Sequence, residues 1–210
     1  TREESKIEES NKEIKQWKRI EVLKDYRFYI ICISMLAMPW IATGSFVYQS
    51  FISSSKEWGP YVIAQSFMAY SILSVITLFI SGFLIDKFSS RKLLIYMNIP
   101  LFFGTIVLYY FDVPLSSFVF FGLLGVTNGL ANVLGSSTWA EIYGVKYIGS
   151  IKALTTALMV FSTAFGTALF GFLIDIGFSI EQIAAVSGTY IFGSIIFLYL
   201  VKNKLNPQYI

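Results

Sequence analysis

Six stretches of this chain contain no Asp, Glu, Lys or Arg: residues 28–55, 58–85, 93–111, 113–140, 153–174 and 182–201. Each is long enough to cross a bilayer, since about 20 mostly apolar residues at about 1.5 Å per residue span about 30 Å of hydrocarbon. The shortest run, 93–111, still qualifies because Lys92 and Asp112 at its ends reach the interfaces. The first run is not a signal peptide: it follows a mixed-charge segment and has no short apolar region with a small-residue cleavage site. The pattern predicts an all-α polytopic membrane protein with six transmembrane helices.

Charge agrees with this reading in amount and in placement. Only 14% of the 210 residues are charged, against about 25% in a soluble domain. Residues 1–27 hold 15 of the 29 charged positions, eight of them basic. With six spans, the termini share one side with the loops around 86–92 and 141–152. That side carries 15 Lys and Arg, whereas the other side carries Lys56 alone. The positive-inside rule then predicts both termini in the cytoplasm of a cell-membrane protein, plasma or inner.

The predicted organisation is a linker over 1–27, a six-helix bundle over 28–202 and a cytoplasmic tail over 203–210. Residues 1–25 lack Gly and Pro and space Ile7, Ile14, Trp17, Ile20 and Leu23 roughly as a helix does. They read either as an amphipathic helix on the headgroups or as a solvated, partly helical linker. A chain opening on Thr1 rather than Met suggests that something precedes it.

Composition removes several chemistries. There is no His, so imidazole acid/base chemistry, His-Asp-Ser triads and His-ligated zinc or haem are excluded. Cys32 is the only cysteine and lies in an apolar run, so it reads as a small packing residue. No cofactor or metal site is expected, and no enzyme, because no catalytic constellation is present. The net charge of +3 is too small to indicate a nucleic-acid partner.

The chain also repeats itself. Gly82-Phe83-Leu84-Ile85-Asp86 recurs as Gly171-Phe172-Leu173-Ile174-Asp175, 89 residues later. Each copy closes the second run of a three-run block, and three helices separate them, so the copies end on opposite sides. Basic residues follow the first copy at Lys87, Arg91 and Lys92, but none follows the second before Lys202. Equal local sequence with opposite charge dressing predicts two inverted three-helix repeats.

The stretch from Gly82 through Asp86 and Lys87 to Arg91 and Lys92 resembles the loop signature of the major facilitator superfamily (MFS), Gly-x-Leu-x-Asp-Arg/Lys-x-Gly-x-Arg-Arg/Lys. Val22–Tyr29 and Trp139–Lys152 are similar to further stretches of the C-terminal half of such transporters. The resemblance covers residues 22–202 and implies helices seven to twelve of a secondary transporter with part of its central linker. It also implies an N-terminal six-helix half as partner and a small solute as cargo. Gly82, Asp86, Lys87, Arg91 and Lys92 would form a cytoplasmic gate loop whose charges hold one state shut. Ser89 stands where the family usually has Gly, which implies a less sharply turned loop. The other reading of the same fold is a non-transporting receptor or scaffold.

The resemblance further implies that the first helix of each triplet lines a central cavity, the second faces the other half and the third faces lipid. Asn128, Asn132 and Ser136 recur at four-residue steps and make a polar stripe on one helical face. Amides are costly against hydrocarbon, so this stripe either lines a cavity or hydrogen-bonds a neighbouring helix. Tyr48, Gln49 and Gln65 complete the candidate cavity set. Pro39 frees a backbone carbonyl and permits a kink, Asn98 is expected at the hydrated interface, and Gly122, Gly125, Gly129 and Gly135 favour close helix contact. No charge lies deep in any run, which leaves polar neutral contacts with aromatic walls as the expected lining.

Overall fold

The computed structural model describes residues 14–59 and 61–209. Six long apolar helices dominate it: α1 (Tyr26–Val47), α2 (Val62–Phe88), α3 (Ser90–Tyr110), α4 (Pro114–Tyr143), α5 (Ile148–Asp175) and α6 (Ile180–Val201). Their ends follow local chemistry. Asp25 caps α1 by accepting the Arg27 backbone N–H at 3.0 Å. Pro114 opens α4, where its missing N–H costs nothing. Gly144 ends α4 at φ +81°, a conformation a Cβ would oppose, and Ser179 with Gln182 forms a capping box at the start of α6. The first apolar run is divided at Tyr48, beyond which a short helix, Gln49–Ser55, turns off. α3 begins as a helical turn, Ser90–Leu93, passes through a 3-10 turn, Leu94–Tyr96, and becomes regular over Ile99–Tyr110.

The packing repeats as the sequence does. α1 lies against α5 and α2 against α4, so the first helix of each triplet packs on the second helix of the other. α3 packs on α4 as α6 packs on α1, and α3 and α6 pack on each other. Exchanging the two triplets leaves this pattern unchanged, as expected of interlocked inverted repeats. Both crossed pairs close at glycine. On α4, a Cβ at Gly129 would lie 2.6 Å from the Ser74 carbonyl oxygen and 2.8 Å from the Leu78 nitrogen of α2. On α5, a Cβ at Gly166 would lie 2.6 Å from Trp40 Cα of α1. Small residues thus bring backbones into direct contact, where dispersion and packing replace a hydrophobic driving force. Gly135 differs from its neighbours, since nothing lies within 4 Å of its Cβ position.

Two aromatic cores occupy opposite halves of the bundle. One holds Trp40, Phe120, Phe121 and Phe170; the other, at the end rich in Lys and Arg, holds Phe28, Met97, Trp139 and Tyr143. The basic end is also where both chain ends meet. The Lys15 N–H donates to the Gln208 carbonyl at 2.8 Å, the Trp17 N–H donates to the Tyr143 carbonyl at 3.0 Å, and Ile14 pairs with Tyr209 as an isolated bridge.

These contacts revise the flanking segments. Residues 15–18 form no regular secondary structure and only Arg19–Val22 is helical, so a continuous amphipathic helix does not form here. Trp17 is buried in the core instead of facing headgroups. The earlier part of that expectation, including Ile7, lies outside the described residues. The tail beyond 203 is likewise docked: Leu205 is buried, and Arg27 Nη1 donates to the carbonyls of Lys204 and Asn206 at 3.2 and 2.9 Å.

The opposite end is fastened by its single basic residue. Lys56, its side chain wholly buried, donates to Asp112 and lies 2.7 Å from Glu181. Trp58 Nε1 donates to the Asp112 carbonyl at 2.6 Å. One ammonium thereby joins the loop after α1, the loop before α4 and the first turn of α6. Burial pushes the Lys56 pKa down, but the hydrogen bonds to Asp112 and Glu181 outweigh it and hold it above 10.5. With a raised folded pKa, this stabilisation is fully present below pH 10.5 and is lost only as pH rises through the folded value. Lys56→Met should cost about 1–2 kcal/mol, less than a fully buried pair because Asp112 regains water. A melting temperature lowered by a few degrees in detergent would show it; an unchanged one would contradict the fastening role.

Candidate functional site

Helix α2 ends against the start of α3 at a strained residue. Ser89 has φ +72° and ψ 137°, so the tight turn is made although a side chain stands at this position. Non-glycine residues held at such angles cost about 1–3 kcal/mol unless the surroundings compensate. Here the Ser89 hydroxyl donates to Glu141 Oε1 at 2.5 Å. The less sharp turn implied by losing Gly is therefore not what forms, because the hydroxyl supplies a bond that glycine lacks.

Glu141, near the end of α4, gathers three more donors. Ser90 Oγ donates to its Oε2 at 2.5 Å, the Arg91 backbone N–H to the same oxygen at 3.3 Å, and Arg91 Nε lies 2.9 Å from Oε1. Arg91 Nη1 also donates to Asn206 Oδ1 at 2.6 Å. One carboxylate thus ties the α2–α3 turn to α4, and the guanidinium extends the tie to the chain's C-terminal segment. Such charge-assisted bonds are strong yet break without covalent change, which is what a reversible fastening between helices needs.

The gate-loop residues divide around this cluster. Arg91 is in it, but its partner is Glu141 rather than Asp86. Asp86 is exposed and has no ion pair among the described residues. Lys87 is exposed with Nζ 5.2 Å from the Phe88 ring, and Lys92 is exposed. Gly82 is half-buried, with nothing within 4 Å of its Cβ position. Sequence reading gave Glu141 no role, although an acid closing an apolar run on the basic side was the available signal.

The polar positions of the spans are also sorted. Asn128 Nδ2 donates to Ser74 Oγ of α2 at 2.8 Å, so this amide joins helices. Asn132 is exposed, and its Nδ2 donates to the Asn128 carbonyl at 2.9 Å and to Asn128 Oδ1 at 3.3 Å. Ser136 is half-buried one turn further on. Tyr48 packs between α1 and α5, its ring stacked on Phe170 at 6.3 Å. Gln49 is half-buried at the start of the short helix, and Gln65 is exposed on α2. Among the six candidate cavity residues, only Asn128 and Asn132 are hydrogen-bonded to each other.

Two other positions, Asn98 and Pro39, were read differently from the sequence or left open. Asn98 is buried, not hydrated: its Nδ2 donates to the Ser34 carbonyl at 2.7 Å and to Ser34 Oγ at 3.0 Å, joining α3 to α1. The α1 helix continues through Pro39, and Ser162 Oγ of α5 donates to the Leu36 carbonyl one turn before it at 2.9 Å. Thr155, Thr163 and Thr167 bond carbonyls of their own helix.

No curated protein and no solved structure gives a significant match to this chain. A family model described as Major Facilitator Superfamily matches residues 29–208, which takes in all of α2 to α6 and nearly all of α1. The match agrees with the crossed packing of two helix triplets. The chain belongs to the major facilitator superfamily, whose members carry small solutes across membranes.

Proposed function

We propose that residues 1–210 form the C-terminal half of a secondary transporter that moves a small solute by alternating access, with both termini in the cytoplasm. The observation that supports this is the uneven burial of the helices. Within their apolar windows only 11% of α2 and 22% of α5 is buried, against 39–67% for the other four. These are the second helices of the two triplets, and they expose large side chains such as Met68, Phe79 and Phe83 on α2 and Phe161 and Phe172 on α5. Two symmetry-related helices left uncovered suit a docking face for a second six-helix half.

On this reading Asn132 and Ser136, beside that face, contribute neutral polar groups to a midplane site, together with Tyr48, Gln49, Gln65 and Asn128 nearby. The Glu141 cluster, which lies within this half, positions the cytoplasmic loop that meets the partner half as the two rock, with Gly82, Asp86, Lys87 and Lys92 framing that loop. The linker over 1–27 connects to the missing half. Reconstitution tests this directly. Residues 1–210 alone should give no uptake of radiolabelled small neutral solutes into proteoliposomes, whereas co-expression with the N-terminal half should restore it. Robust uptake by the 210-residue chain alone would overturn the proposal, because one bundle cannot then be only one wall of the pathway.

A further inference from the structure

At the basic end, where α3 and α6 meet, a cavity of about 450 Å³ opens on the outside of the bundle. Three cations line it, Arg91 and Lys92 from the start of α3 and Lys202 just after α6, with the amides of Asn203 and Asn206 beside them. Arg91 is held in place by Glu141 and Asn206. Lys92 and Lys202 have no carboxylate at salt-bridge distance among the described residues, and Lys202 Nζ is seated 3.7 Å from the Tyr199 ring centroid. The site therefore keeps a surplus of positive charge together with neutral hydrogen-bonding groups, a combination suited to a phosphate diester.

The surroundings distinguish a lipid from a soluble anion. The pocket stands at the head of an apolar wall, with Tyr96, Phe197 and Leu200 exposed on the same two helices. Further along the same seam, Phe102 stacks on Phe192 at 5.6 Å and opens an apolar groove of about 330 Å³. Eleven positions along α3 separate Arg91 from Phe102, roughly 16–18 Å at α-helical and 3-10 rises, which is close to the half-thickness of a bilayer core. A phosphate held at Arg91, Lys92 and Lys202 thus places its acyl chains along the wall and their ends at the mouth of the groove. We infer that this pocket binds the headgroup of an anionic glycerophospholipid in the leaflet that the basic end meets. The binding is independent of whether the chain transports.

Native mass spectrometry of the 210-residue protein released from nanodiscs tests the assignment. The nanodiscs contain phosphatidylglycerol and phosphatidylcholine in about equal parts. The wild-type protein should retain phosphatidylglycerol in preference to phosphatidylcholine, and Lys92→Gln with Lys202→Gln should reduce that retention at least about fivefold. Lys92→Gln alone, at an exposed position, should give a partial loss without affecting the fold. Lys87→Gln, which removes an exposed charge outside the pocket, should leave retention unchanged. Three results would overturn the inference: no preference between the lipids, an equal loss in Lys87→Gln, or displacement of phosphatidylglycerol by millimolar inorganic phosphate. The last would assign the site to a soluble anion.

Discussion

Gly129→Leu should unfold the α2–α4 contact and leave little protein that survives extraction in detergent. At this position even a Cβ would meet the Ser74 carbonyl and the Leu78 nitrogen at 2.6 and 2.8 Å, and both are backbone atoms that no rotamer change can move aside. The two helices would have to separate, which forfeits the neighbouring close contact of Gly125 with Tyr70 and the Asn128–Ser74 hydrogen bond. Overpacking of a tight site costs about 1–3 kcal/mol before such secondary losses, and an interhelical bond in a membrane bundle adds about 0.6 kcal/mol. The sum is a large part of the total stability of a domain. Gly135→Leu, less than two turns along the same helix, is the control, because its Cβ position is open. Fluorescence-detected size-exclusion chromatography after heating separates the two. If Gly129→Leu melts with the wild type, the backbone contact between α2 and α4 is not a determinant of the fold.

Glu141→Ala should give the second-largest effect, and one that concerns function as well as stability. The substitution leaves Arg91 and the hydroxyls of Ser89 and Ser90 without their common acceptor, and Ser89 keeps its strained backbone without the bond that offsets it. Breaking a buried pair costs about 3–5 kcal/mol. The side chains here are 23% and 25% exposed, so water recovers part of that. A loss of about 2–3 kcal/mol follows, read as a lowered melting temperature and faster trypsin cleavage at Arg91 and Lys92. Glu141→Gln, with one acceptor oxygen and no charge, should fall between. On the proposed transporter reading, loosening the loop that meets the partner half should also change uptake in the reconstituted pair of halves. Unaltered melting and cleavage in Glu141→Ala would mean that the cluster is solvated and holds nothing.

Much of this protein was legible along the chain. Six uncharged runs became six helices, and the segments predicted to share a side do meet: Trp17 with Tyr143, Arg27 with Asn206, and Arg91 with Glu141 at one end, and Lys56 with Asp112 and Glu181 at the other. The five-residue repeat marked equivalent positions near the C-termini of α2 and α5, whose packing partners exchange as the repeat requires. These features are one-dimensional. Hydropathy over about 20 residues decides whether a segment can leave water, and alternation of sides follows from counting.

Which residues meet was decided only in three dimensions. A helix places its side chains by rotation and height, and in this bundle both are set where glycine lets backbones touch, at Gly129 of α4 against α2 and at Gly166 of α5 against α1. In the bundle so packed, Asn98 meets Ser34, Asn128 meets Ser74 and Arg91 pairs with Glu141, not with Asp86. The non-helical path of residues 15–18 is likewise tertiary, since docking Trp17 into a core completed by Leu205 outweighs the local helical spacing. The sequence by itself determined how many apolar helices form and which ends lie together, because those depend on solvation of short segments. The pairing of charges and amides required the tertiary structure, because it depends on atoms within a few ångströms that lie far apart in the chain, 179 residues in the case of Arg27 and Asn206.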